Sequence, residues 1–471
     1  MKNAIYVYFQ YQTLNKVPLR MKEHGYEPKL LIDGEYKGSY DEKYGIEGIH
    51  KYVITTQEQL YDNSIYITPL MEEYLAKNIF MPNNIEKIIR DNIPMLIDQS
   101  SRWNEYFNKT YYDYLNYIYT MARFAYIYMT EENIDVIFFT HFCHLGIDLT
   151  FYLIAKELGI KTIFMNPEYE IETGKYLISY SDTQDYEKLY DKMVKKRRDC
   201  TFQIKDSFEK PLTYMKNIKL FTLDNLKLKW PILFKMMIYS PFYSSSHPKT
   251  KYIYRTRKYF QEKACILYRD SIIKPADFSS KYVYFGLHLQ PELTTSFYGG
   301  IYSDQLLAIE KLSAILPDDW IIYVKENPKQ NLENRGRIFY ERLNNIPKVQ
   351  LVPMDTNTYD LIKHSQFNAS ITGTLLYESV CGGKPALMFG NYWYSRLPGV
   401  TKYRDGLTVD EIVNCEINHN ELQNIINDFY SKCIEIVIEN NMLEKLVPEQ
   451  NYDIEENHNK VVNLLCEMMN E

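Results

Sequence analysis

No apolar run in this chain of 471 residues approaches the roughly 20 residues that a helix needs to cross a bilayer, so a membrane-spanning protein is not expected. The first residues, MKNAIYVYFQYQTLNK, are rich in aromatics, but Gln10, Gln12 and Asn15 interrupt the apolar centre that a secretory signal requires. The seven cysteines are odd in number and widely scattered, and no two stand as CxxC. That spacing fits reduced thiols and neither a disulfide framework nor a zinc site. Basic charge is not in excess. There are 54 Lys and Arg against 61 Asp and Glu, a formal net charge of -7, which argues against nucleic acid as a partner. Together these absences lead us to expect a soluble, cytoplasmic chain, with a peripheral contact at the inner face of the membrane left open.

What is present is enough apolar residue, 45%, to fill more than one core, and the length predicts two domains. We expect a first Rossmann-like domain with helical insertions at 1–275, a second at 276–440, and a helical tail at 441–471 packing back on the first. Residues 4–9 and 28–32 read as strands around a helix. The Tyr-rich stretch 58–129 sets Tyr114, Ile118, Met121 and Ala125 at helical spacing. Residues 135–140, 147–158 and 160–165 read as a buried strand, a helix and a second buried strand, a parallel unit. Between 168 and 280 the pattern weakens. Lys195-Lys196-Arg197-Arg198 is a basic run, the stretch 226–239 mixes lysines with aliphatics and is broken by Pro231, and Ser246-His247-Pro248 reads as a turn. From 282 the alternation is regular, with strands at 282–287, 320–324, 349–352, 367–371 and 386–389. Helices at 304–316, with Ser303 as the expected N-cap, 335–343 and 375–381 separate most of them. This order predicts a doubly wound parallel sheet. The tail reads as two helices broken around Pro448.

Parallel strands bring their C-terminal ends to one edge, where ligands bind in open α/β sheets. The strand at 282–287 runs into His288, Gln290 and Glu292. The strand at 320–324 runs into Lys325, Glu326, Asn327 and Pro328, and that at 367–371 into Thr372, Gly373 and Thr374, followed by Glu378. The three clusters should converge although they lie far apart in sequence. Gly373 permits a tight turn into a helix whose first N–H groups suit a phosphate, with Thr372 and Thr374 adding hydroxyls. Glu378, one turn on, faces ribose hydroxyls or, in the plainer reading, only solvent. Lys325 offers a counter-charge to phosphate and Asn327 a neutral donor. Glu292, beside Pro291, suits a general base or nucleophile, and the plainer alternative is an ion pair with Lys325. No Asp-x-Asp pair of the kind a metal-dependent sugar-nucleotide site uses is present, so a metal-independent site is expected. In the first half, His141, His144 and Asp148 follow a strand. They read either as polar groups of a helix start or as residues that bind an acceptor or act as a base, His-x-x-His with a carboxylate being too loose for a zinc signature.

The segments LHLQPELTTSFYGG, WIIYVKENP and SITGTLLYESVCGGKPALMFG, in that order and spacing, resemble the bacterial capsule-polysaccharide synthesis proteins related to Kdo transferases. The resemblance covers 282–400 well and 135–165 loosely. It implies a GT-B glycosyltransferase, with two Rossmann-like domains facing a cleft and the C-terminal one holding a sugar nucleotide. The donor implied is a substrate, CMP-activated Kdo or a related acidic sugar being favoured, with no cofactor and no metal. The family's QPE-type segment lies near the reacting centre, which points to Gln290 and Glu292. Its Lys-Glu-His-Pro segment contacts the donor phosphate and is matched by Lys325, Glu326 and Pro328, with Asn327 in place of the histidine. Asparagine can donate to a phosphate oxygen but cannot titrate near neutral pH. The partners implied are a nucleotide sugar and a glycan or glycolipid acceptor, and no oligomeric state follows. Two further readings stay open: a polyol-phosphate transferase of the teichoic-acid type, and a non-catalytic glycan- or nucleotide-binding member of a capsule assembly complex.

Overall fold

Runs of Val, Ile, Tyr and Phe pair into two separate six-stranded sheets in the computed structural model. The structure describes residues 1–34, 49–54, 68–101, 111–170, 175–196, 250–330, 332–439 and 453–470, with isolated helical positions at 234 and 238. Arg197-Arg198, Ser246 to Pro248, the other residues of 226–239 and the break at Pro448 lie outside them.

The first sheet contains β1 (Lys2–Val7), β2 (Tyr26–Gly34), β3 (His50–Ile54), β4 (Ile134–Phe139), β5 (Lys161–Glu170) and β6 (Lys175–Ser181). Their order is β3-β2-β1-β4-β5-β6, parallel except for the antiparallel pair of β5 and β6. Residues Ala4 to Val7 of β1 and Val136 to Phe139 of β4 are buried without alternation, as central strands covered on both faces must be. The second sheet contains β7 (Tyr282–Gly286), β8 (Ile321–Lys325), β9 (Val349–Leu351), β10 (Asn368–Ser370), β11 (Ala386–Met388) and β12 (Val400–Lys402), all parallel, in the order β12-β11-β10-β7-β8-β9. Alternate residues of β7 serve two cores. Val283 and Phe285 pack with Leu306, Ile309 and Leu312, whereas Tyr282 and Tyr284 pack with Leu361, Ile362 and Leu375. Each of those buried leucines and isoleucines contributes up to about 1.5–3 kcal/mol of transfer free energy.

Both sheets therefore follow the doubly wound Rossmann-like order, and each has one place where the winding reverses, between β1 and β4 and between β7 and β10. β3, β6 and β12, which the sequence pattern did not reveal, all lie at sheet edges. Edge strands need not be apolar on both faces, so they leave no continuous hydrophobic run. The helix Gln305–Ile315 is capped by Asp304, whose carboxylate accepts the Leu306 N–H at 3.2 Å, and not by Ser303. Ser303 belongs to the preceding 3-10 turn, Gly300–Ser303, and its carbonyl accepts from the Gln290 amide.

The chain divides into two compact units, Met1–Cys200 with Phe429–Glu471, and Thr201–Asp428. The helix Thr250–Ile272 lies in the second unit, against the helix Leu332–Asn345, where Arg337 stacks 5.2 Å over the Tyr268 ring. The C-terminal helix Ile454–Asn470 returns to the first unit. It buries Val461, Val462 and Leu465, its Asn459 accepts from Arg20 at 2.6 Å, and its Asn457 amide donates to the Thr13 carbonyl at 2.9 Å. This is the chain plan of GT-B folds: two Rossmann-like α/β domains with the C-terminal helices packed on the first. Of the basic run, Lys196 pairs with Glu467. No helix among the described residues is long and apolar enough to cross a membrane, and the six described cysteines are free thiols.

Candidate functional site

The loops after β7, β8 and β10 meet at the reversal of the second sheet. His288, two residues beyond β7, presents Nε2 to the Thr372 N–H at 3.1 Å, and the Thr372 hydroxyl donates to the Thr294 carbonyl at 2.9 Å. Gly373 makes room for this contact. A Cβ there would stand 3.1 Å from His288 Nε2 and 3.1 Å from Ser370 Oγ, tighter than side chains ordinarily approach. Gly373 is also the N-cap of the helix Thr374–Cys381, so the helix begins directly beside the imidazole.

The loops after β7 and β8 are joined by amides and one arginine. The Gln290 N–H donates to Gln330 Oε1 at 2.8 Å, its carbonyl accepts from Gln330 Nε2 at 2.8 Å, and its side chain bridges the Ser303 carbonyl and Gln305. Gln290 is thus held on every side and acts as a brace for the loop. Arg335 reaches the same place from the helix Leu332–Asn345, which is interrupted at Gly336 with a φ of 69° that a glycine adopts at no steric cost. Its guanidinium holds the His288 carbonyl at 2.8 Å and forms a buried pair with Glu326, Nη2 to Oε1 at 2.9 Å and Nε to Oε2 at 3.1 Å.

Glu326 departs from the expectation that it meets the donor. Its oxygens also accept from the Tyr340 hydroxyl at 2.7 Å and the Asn327 N–H at 2.8 Å, so it faces inward with every acceptor direction used. Asn327 closes a local turn, Oδ1 accepting from the Lys329 N–H at 3.0 Å, while Pro328 beside it is half-buried. Lys325 turns to the Thr356 carbonyl at 2.6 Å and the Thr358 hydroxyl at 2.7 Å, and not to Glu292. These two contacts use two of its three N–H donors. Burial lowers its ammonium to about 8, with Asp355 opposing. Glu292 is half-buried and caps the short helix Leu293–Ser296 through the Thr294 N–H at 3.0 Å. Glu378 is not solvated. It is 6% exposed, accepts from the Tyr359 hydroxyl at 3.0 Å, and is raised by burial to about 7, the hydrogen bond working the other way. Thr374 opens the same helix, one turn before it. His288 is lowered by burial to about 4; Glu292 opposes this and Arg335 adds to it.

The first unit has its own cluster at the reversal between β1 and β4. His141 and His144 stack edge to face at 5.8 Å beside Tyr8, and His141 Nε2 lies 2.9 Å from the Glu439 carboxylate. Asp148 does not join this surface. It is completely buried and accepts the N–H groups of His144, Leu145 and Leu149 at 2.8–3.0 Å, the work of a helix-start cap. His144 Nδ1 lies 3.9 Å from Asp148 and 2.8 Å from the Phe142 carbonyl. The three residues therefore form no common ligand set; His141 and His144 remain at the strand edge while Asp148 holds the loop beneath them.

Sequence reasoning passed over Gln305, Gln330, Arg335, Thr356, Thr358 and Tyr359. For Thr356 and Thr358 a signal existed, since Asp355-Thr356-Asn357-Thr358 is a polar cluster at the end of β9 and strand ends converge on this edge. For Arg335 the only signal was a glycine inside a helical pattern.

The class that the fold defines is the two-domain Rossmann-like protein of GT-B type. No family model matches the chain, and comparison with curated proteins finds no relative. Among solved structures it is similar to KpsC of Thermosulfurimonas dismutans as beta Kdo 2,7 transferase, at 12% identity over 72% of this chain and 88% of that one, TM-score 0.32. It is also similar to the same protein as beta Kdo 2,4 transferase, at 12% identity over 63% and 79%, TM-score 0.31. A third is UDP-GlcNAc 2-epimerase from Methanocaldococcus jannaschii, at 11% identity over 99% of both chains, TM-score 0.23. Likenesses of this size carry no argument about activity, and the fold stands on its own strand orders.

Proposed function

We propose that the chain is a metal-independent glycosyltransferase that uses a nucleotide sugar, a CMP-activated acidic sugar such as Kdo being favoured, and that builds a bacterial surface glycan or its lipid-linked primer. The observation that carries this reading is the contact of His288 with the Thr372 N–H beside the start of the helix Thr374–Cys381, at the reversal of a doubly wound sheet, with Lys325 ending the neighbouring strand β8. That edge is where such sheets bind nucleotides, and the helix start and the lysine both favour anions. Thr374 and Asn327 add donors toward the phosphate, and Glu378 with Tyr359 faces the nucleoside. Glu292 takes the proton of the acceptor hydroxyl as its oxygen bonds to the anomeric carbon. The bond from that carbon to the phosphate oxygen breaks, and the nucleotide leaves with the electron pair, its charge held by the preorganised donors. His141 and His144 are the residues proposed for the acceptor side.

The test is the thermal midpoint of the purified protein against CMP, UDP, GDP and their sugars, because a ligand that binds only the folded state raises it. We expect a rise with one nucleotide class, lost in Lys325→Ala. Glu292→Gln should keep that rise and lose turnover. Full turnover in Glu292→Gln removes the catalytic assignment, and a response to oligosaccharides but to no nucleotide replaces the transferase with a glycan-binding protein.

A further inference from the structure

We propose that His288 is held as the neutral imidazole protonated on Nδ1, and that this N–H donates to an anionic oxygen of the ligand bound between β7 and β10. The proposal deepens the donor-site reading and rests on it for the ligand, while the state of the ring stands by itself. A backbone N–H can only donate, so the nitrogen facing the Thr372 N–H at 3.1 Å must offer a lone pair. An imidazolium carries hydrogens on both nitrogens and would set N–H against N–H. The ring proton therefore sits on Nδ1.

The backbone that carries the ring is held on both sides: the His288 main-chain N–H donates to Gln305 Oε1 at 2.7 Å, and its main-chain carbonyl accepts from Arg335 Nη2 at 2.8 Å and Gln305 Nε2 at 3.3 Å. Gly373 closes against the Nε2 edge. The charged groups acting on the ring are Glu292, which favours the imidazolium, and Arg335, which disfavours it together with burial. Among the described residues no group accepts from Nδ1. The Nδ1–H is thus open to a ligand beside the positive end of an eight-residue helix, with Lys325 ending the neighbouring strand β8. The acceptor that suits these donors is negatively charged: a phosphate oxygen of a nucleotide or the carboxylate of an acidic sugar.

Long-range nitrogen–proton correlation on protein labelled at histidine reads the tautomer directly, with the His288 signals assigned by their loss in His288→Gln. We expect a pyrrole-type Nδ1 and a pyridine-type Nε2, unchanged between pH 8 and pH 5. An Nε2-protonated ring, or a ring that titrates near neutral pH, overturns the proposal. The probes are then CMP, UDP and free Kdo. A shift of the Nδ1 signal with a nucleotide supports the phosphate as acceptor, and a shift with Kdo alone supports the carboxylate. If a nucleotide raises the thermal midpoint without moving Nδ1, the ligand contact is wrong and the donor site stands. If no probe binds, the donor-site reading falls and the ligand contact with it. His288→Leu should weaken binding about tenfold or more, the loss of one hydrogen bond to a charged group. His288→Gln, which keeps both an acceptor for Thr372 and a donor, should restore most of it with an unchanged ligand-free midpoint.

Discussion

Replacing Arg335 by methionine tests how the loop after β7 is held. The guanidinium is 2% exposed, as is its partner Glu326, and the change removes four hydrogen bonds at once: two to Glu326, one to the His288 carbonyl and one, at 3.4 Å, to Gln290 Oε1. Methionine fills much of the volume, so the cost is electrostatic. Glu326 keeps only the Tyr340 hydroxyl and the Asn327 N–H, and a buried carboxylate left without its cation costs about 3–5 kcal/mol. For a domain of about 200 residues, each 1 kcal/mol moves the thermal midpoint by about 2–4 °C, so a fall of about 6–20 °C is expected. The assay is the thermal midpoint of the full chain, read beside Arg335→Met combined with Glu326→Gln. The double variant leaves no ionised group buried, so it should recover part of the loss. A midpoint for Arg335→Met within about 2 °C of the parent, or a double variant less stable than the single one, would refute the reasoning.

Other perturbations address the site edge. The folded Glu378 carboxyl keeps its proton to about pH 7 while the unfolded one loses it near 4.5, so stability should fall as pH rises through that window. Glu378→Gln removes this limb and should be more stable than the parent at pH 8, by up to about 3 kcal/mol, and little different at pH 4; equal pH profiles in denaturant titrations count against a buried carboxyl. Lys325, lowered to about 8, loses its charge as pH rises past that value, so the midpoint rise produced by a nucleotide should shrink between pH 7 and 9; a rise independent of pH would remove Lys325 from the anion site. Gly390→Ala would place a Cβ 2.6 Å from Thr372 Cγ2 and 2.7 Å from the Tyr298 carbonyl. Because that carbonyl cannot move aside as a side-chain end can, we expect a loss of about 1–3 kcal/mol in thermal denaturation.

The amino-acid sequence by itself determined the periodicities. Runs buried on both faces at β1, β4, β5, β7 and β8, alternating with helices, announce parallel sheets, because only a central strand is apolar on both sides. Strand ends rich in polar groups placed His288, Lys325 and Thr372 on one edge, since parallel strands leave no other arrangement. Strand order is a different matter. Whether β7 lies beside β10 or beside β11 depends on which connection crosses which face, and nothing local encodes it. Only the tertiary structure decided that the reversal falls between β7 and β10, and so that His288 meets the Thr372 N–H. The same holds for the direction of each side chain. The resemblance pointed Glu326 at a donor phosphate, yet the fold turned it to Arg335, and of the two readings open for Asp148 the helix-start one holds, because a buried carboxylate must find donors and those were the donors in reach.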